Sequence, residues 1–79
     1  MQMRLSEVQA TTLLYMQRGA EVFQMNNQTW IQMGDNKRPL NSRTLDSLKT
    51  MGLVKRLYSG KNGAKFGLTN MGTGVIPIH

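Results

Sequence analysis

The sequence contains no cysteine, so neither a disulfide nor a thiolate metal site is open to it. That lack fits a reducing compartment. It has a single histidine, His79 at the last position, and only four acidic residues, all scattered. A His- or carboxylate-based metal centre therefore has no ligand set. No two carboxylates are spaced as a paired acid and base. A lone terminal histidine is read as an unstructured end in preference to a general base. The expectation is a protein that is not an enzyme and needs no cofactor. No apolar run approaches the roughly 20 residues of a membrane helix, and Met1 to Glu7 lacks the apolar core of a secretion signal. The chain accordingly reads as cytoplasmic. Repeats, low-complexity tracts and long linkers are also missing, so residues 1–79 are expected to form one domain. At this size a chain buries only roughly 60% of its unfolded surface, and pairing with a second copy is a common remedy.

What the sequence does have is basic charge. Lys and Arg number 10 against 4 Asp and Glu. The pI of about 10.4 lies above the ~9 that marks a nucleic-acid footprint. The distribution is lopsided. Through Asn36, Arg4 and Arg18 are outnumbered by Glu7, Glu21 and Asp35. From Lys37 onward, Lys37, Arg38, Arg43, Lys49, Lys55, Arg56, Lys61 and Lys65 face Asp46 alone. Such a field attracts polyanions and says nothing of the fold; its bland reading is a solubilising surface. The cations do not lie along one amphipathic helix, which argues against a membrane surface.

The first predicted element is a helix. Ser6 and Gln9 form a capping box behind Leu5, Arg18 sits in the last turn, and Gly19 supplies the stop. Val8, Ala10, Leu13, Leu14, Tyr15 and Met16 spread around most of its circumference, which predicts burial on more than one side and hints at a dimer. Between Glu21 and Met33 two readings stand: a hairpin turning at Asn26-Asn27, or a short helix around Thr29 to Met33. Trp30 reads as a core anchor. Gly34 to Pro39 is predicted to be a loop.

The best-defined helix comes next, with Asn41 as N-cap, Leu40 stapled against Leu45, and Gly52 as the stop. Leu45, Leu48 and Met51 mark its buried side. Arg43, Ser47 and Thr50 share the opposite face. A hairpin follows, its turn at Asn62-Gly63. Centred there, it sets Leu57 opposite Leu68 and Ser59 opposite Phe66 on a core face. Tyr58 then covers Gly67, Arg56 meets Thr69, and Gly60 meets Lys65 on an exposed basic face with Lys61 and Lys65 at the tip. Thr69-Asn70 opens a short final turn, and Val75 to His79 either docks or frays. Ser59 to Gly63 is not a phosphate loop: Lys55 stands where the motif needs its first glycine, and Asn62 where it needs Ser or Thr.

A capped helix, a glycine stop and a basic ribbon together suit a duplex. A helix about 10–12 Å across fits a major groove about 12 Å wide, and its first turn favours anions or base edges. Arg43 there is suited to a bidentate guanine contact, with Asn41, Ser42, Thr44 and Ser47 near bases or phosphates. Lys37, Arg38, Lys49, Lys55, Arg56, Lys61, Asn62 and Lys65 complete the candidate DNA-binding set on the backbone.

The run from Leu40 to Arg56, LNSRTLDSLKTMGLVKR, resembles the recognition helix and first wing strand of winged-helix regulators, including the MarR-like group and short phage or prophage proteins. Gly67-Leu68-Thr69-Asn70-Met71-Gly72 is similar to the segment that closes their wing, and Leu5 to Gln9 to the start of their first helix. The resemblance implies an α+β winged helix: helix, short hairpin or strand, recognition helix 42–51, wing 55–67, and a short C-terminal turn. It also implies double-stranded DNA as partner, transcription control, and a homodimer on a palindromic site. The sequence departs from the pattern where no helix is evident between Gln28 and Lys37, and where the long terminal dimerising helices are missing. Winged helices also serve as protein-binding modules, so docking on a host protein is the alternative.

Overall fold

The computed structural model describes residues 1–78; the expectation for His79 lies outside them. Strand β1 (Gln2–Arg4) leads to helix α1 (Glu7–Gln17). The capping box is formed: Ser6 Oγ accepts the Gln9 N–H at 3.2 Å, and Gln9 Oε1 accepts the Ser6 N–H at 2.9 Å. Ala10, Leu13 and Met16 are buried, while Val8 and Leu14 stay exposed at 55% and 42%. The chain thus covers one side of α1, and the second side expected to be buried has no cover within it.

Strands β2 (Glu21–Met25) and β3 (Gln28–Met33) form the hairpin. Asn26 and Asn27 take φ of 51° and 66°, the double left-handed turn that matches strand twist, and the alternative short helix is excluded. The predicted loop from Gly34 to Pro39 needs correction. Only Gly34 and Asp35 turn, and Asn36–Pro39 is a fourth strand, β4, antiparallel to β3. All four of its residues are exposed, so it carries no apolar alternation that a sequence reading could detect. Pro39 is tolerated because β4 is a sheet edge.

Helix α2 (Ser42–Thr50) is capped by Asn41, whose side chain accepts the Arg43 N–H at 2.9 Å. Strands β5 (Val54–Gly60) and β6 (Gly63–Leu68) pair antiparallel, followed by the short α3 (Asn70–Gly74) and β7 (Ile76–Ile78). The predicted register of this second hairpin is wrong. The turn residues are Lys61 and Asn62, and Gly60 pairs with Gly63, which sets Ser59 opposite Ala64 and Tyr58 opposite Lys65. A bulge at Leu57 then restores phase, so that Arg56 faces Phe66, Lys55 faces Gly67 and Val54 faces Leu68. Gly63, with φ of +105°, closes the turn where a side chain would be strained. A Cβ on Gly67 would strike Leu57, not Tyr58, so the half-exposed Leu57 covers that glycine. Leu57 is not in the core.

The five strands form one antiparallel sheet in the order β4-β3-β2-β6-β5, and β1 and β7 make a separate parallel pair. The fold is a small α+β domain of three helices and this sheet. Among the described residues no helix lies between α1 and α2. Cross-strand partners share a face, so Val22, Ile31 and Phe66 define the side on which the helices pack. Leu13, Leu45, Leu48 and Leu53 complete that core. Val75 is buried and β7 hydrogen-bonds β1, so residues 75–78 dock.

Thr69 ties the last helix down. Its Oγ1 donates to the Gly52 carbonyl at 2.6 Å and accepts the Gly72 N–H at 3.0 Å. Gly72 sits so close to this strap that an added Cβ would overlap the Leu53 carbonyl oxygen, whereas one on Gly74 meets nothing within 4 Å. Gly72→Ala is therefore expected to lower stability by about 1–3 kcal/mol through overpacking. Gly74→Ala should leave stability unchanged or slightly raised. Denaturant unfolding followed by circular dichroism checks the pair, and equal midpoints for the two variants would refute the contact.

Candidate nucleic-acid interface

Burial around α2 decides which of its side chains a ligand can reach. Leu45 and Leu48 are fully buried, Thr44, Ser47, Lys49 and Met51 are half-buried, and Ser42, Arg43, Asp46 and Thr50 are exposed. The predicted face of Arg43, Ser47 and Thr50 needs one correction. Ser47 Oγ donates to the Thr44 carbonyl at 2.9 Å and accepts Gln9 Nε2 at 2.9 Å, locking it to α1. With α1 on one flank and the sheet below, the open arc of α2 is narrower than a free helix would offer. Asp46 also stands in that arc, where it favours an amino donor and repels a phosphate.

Asn41, Ser42 and Arg43 hold the first turn. The Asn41 carbonyl oxygen is spent on the cap, whereas Arg43 forms no ion pair; the ion pairs among the described residues are Lys49–Asp46 and Lys65–Glu21. Lys49 Nζ lies 3.8 Å from Asp46 Oδ1 and 5.2 Å from the Phe66 ring centre, which anchors it where α2 meets the ribbon. Phe66 pairs with Arg56, so Arg56 shares the helix-bearing side of the sheet with Lys49. Lys61 and Asn62 form the tip beyond them.

The remaining cations are divided between surfaces. Arg38 pairs with the core residue Ile31 and lines, with Tyr15 and Ala20, a small cavity of about 100 Å³ far from the ribbon tip. Lys37, Lys55 and Lys65 belong to the opposite, uncovered side of the sheet, given their register with Gln32, Gly67 and Phe23. Lys65 is not at the tip, as expected, but mid-sheet and joined to Glu21. The single basic surface foreseen in the sequence is in fact two.

Two groups of residues escaped the sequence reading. The turn Asn26-Asn27 lies beside the ribbon tip, because β2 pairs with β6, and the two turns enclose an open cleft of about 510 Å³ with Arg56, Ser59 and Lys61 on its walls. On the uncovered side, Phe23 and Trp30 stack with ring centres 5.6 Å apart and planes 20° apart, and Lys37 Nζ sits 5.6 Å from the indole centre. Trp30 is thus half-buried on the sheet's outer side, not a core anchor. Among the described residues its Nε1 is buried without an acceptor. Alternation along β2 and β3 was legible, but which strands would be neighbours was not.

No family model, curated protein or solved structure matches this chain. Its candidate sites therefore rest on the geometry above.

The hydrogen bond from Lys65 to the Glu21 carboxylate, reinforced by its charge, raises the Lys65 pKa above its ordinary value of 10.5. A lysine whose folded value is raised stabilises the fold at neutral pH, and that contribution fades as pH climbs through the raised value. In Glu21→Gln, the Lys65 ammonium followed by NMR should deprotonate at lower pH than in the parent chain. An unchanged titration would show that Glu21 is not its partner in solution.

Proposed function

We propose that this protein binds double-stranded DNA in the manner of a winged helix. Helix α2 enters the major groove, and the β5–β6 ribbon rests on the phosphate backbone. One observation carries the reading. Arg56 points to the side of the sheet on which α2 packs, Lys49 joins the two, and the unpaired Arg43 stands at the exposed first turn of α2. The helix and ribbon therefore offer cations to the same polyanion. Arg43, with Ser42 beside it, reads base edges; Lys49, Arg56, Lys61 and the paired turns Asn26-Asn27 and Lys61-Asn62 hold the backbone.

The proposed role is transcription control, of the kind performed by short phage or prophage regulators. A homodimer on a palindromic site suits it, with the exposed Val8 and Leu14 of α1 available to a second copy. The same exposed residues favour the second reading, a module that docks on a host protein and modulates it. Light scattering should give a dimer; a monomer at high micromolar concentration removes the dimeric form of the proposal.

DNA affinity is expected to fall steeply with salt, by about 0.9 in log K per log salt for each phosphate neutralised. Arg43→Ala should cost about 1–3 kcal/mol and relax sequence preference, whereas Lys61→Ala should weaken all sequences alike. Ser47→Ala, by contrast, should lower fold stability and leave base preference intact. Fluorescence anisotropy with selected and random duplexes checks all three. Salt-independent binding, or an Arg43→Ala variant that binds like the parent, defeats the proposal.

A further inference from the structure

The uncovered side of the sheet is organised. Its residues include Phe23, Trp30, Tyr58, Lys37, Lys55 and Lys65, and none of them contributes to the core cluster. Register sets Trp30 opposite Phe23, Phe23 opposite Lys65, and Lys65 opposite Tyr58, so three aromatic rings and a lysine stand in one row across four adjacent strands. At the usual strand spacing this row spans roughly 14 Å. Tyr58 is 59% exposed and offers a free ring at one end. At the other, Trp30, stacked on Phe23, borders an open cleft of about 600 Å³ between β3 and β4. Lys37 and Lys55 border the row, and the face's acidic residue, Glu21, is consumed by Lys65.

We infer that this face binds single-stranded nucleic acid, bases against the aromatic row and phosphates against the lysines. The inference is independent of the duplex proposal, because it uses the opposite side of the sheet and different residues. Charge selects the occupant. A second copy applied face to face would bring lysines against lysines. Duplex DNA hides its bases and would leave the rings unused. A single strand repeats a flat π surface and a negative charge at every residue, the combination that aromatic platforms with basic borders capture. A row of this length matches the two or three bases that exposed sheets elsewhere hold by stacking.

Trp30, the single tryptophan, reports directly on this site. The 79-residue chain is titrated with an oligothymidylate of about a dozen nucleotides, long enough to cross the sheet. Expected are quenching of Trp30 emission on saturation and affinity losses of roughly ten-fold in Tyr58→Ala and in Phe23→Leu. Lys37→Glu, a change outside the core, should weaken binding similarly while circular dichroism shows an unaltered fold. Arg43→Ala should leave oligothymidylate binding unchanged, and Tyr58→Ala should leave duplex binding unchanged. Loss of duplex binding alone would remove the duplex proposal and leave this one standing. The inference is overturned if saturating oligothymidylate leaves the emission unmoved or if Tyr58→Ala binds it like the parent. It is equally overturned if anionic phospholipid vesicles quench Trp30 where the oligonucleotide does not.

Discussion

Val22 and Phe66 face one another across β2 and β6, both fully buried, and the fold depends on that contact. It joins two hairpins that are far apart in sequence into one sheet. Burying two such side chains contributes roughly 1.5–3 kcal/mol each, a large share of the stability of a domain this small. Because strand side chains alternate, committing Val22 and Phe66 inward commits Phe23 and Lys65 outward. The bulge at Leu57 matters for the same reason. By inserting one residue, it lets Arg56 take the helix side and Tyr58 the open side.

The helices then lie on one side only. Leu13 of α1, Leu45 and Leu48 of α2, and Leu53 close over Val22, Ile31 and Phe66. Gln9 of α1 holds Ser47 of α2, and Gln17 donates to the Gly72 and Val75 carbonyls at 2.9 and 2.7 Å. Polar side chains on α1 thereby fasten α2 and the segment after β6 to the layer. The sheet's two edges are blunted differently: β4 is short, charged and ends in proline, while β5 is bulged. Both devices discourage pairing with a further strand.

This one-sided construction divides the basic charge. Arg43, Lys49 and Arg56 accompany the helices, Lys61 marks the tip, and Lys37, Lys55 and Lys65 go with the aromatic row. Two surfaces of like sign but different texture result. One is ridged by a helix; the other is a sheet face with exposed rings. The ion pairs temper both, since Asp46 partly offsets Lys49 and Glu21 occupies Lys65. Exposed pairs of this kind contribute little stability, so their main consequence is to leave Arg43, Arg56, Lys61, Lys37 and Lys55 without an acidic partner among the described residues.

Much of the local structure was legible in the residues themselves. The capping box at Ser6 and Gln9, the Asn41 cap, the Asn26-Asn27 turn and the leucine spacing of α2 are short-range signals whose physics acts within a few positions. Strand β4 was not legible, because its four exposed residues pair through backbone alone and carry no pattern. The register of β5 and β6 was not legible either: Asn62-Gly63 looks like a turn centre, but the burial of Phe66 opposite Arg56 and the bulge at Leu57 outweigh that local preference. The candidate cations were all visible, but their partition was not: it follows from β2 lying against β6, a contact between segments some 40 positions apart that only the closed core selects. Composition by itself established a strongly basic chain with no cysteine and a single histidine. Tertiary structure alone decided which face each charge would occupy, because a side chain's direction in a sheet is set by what its neighbours bury.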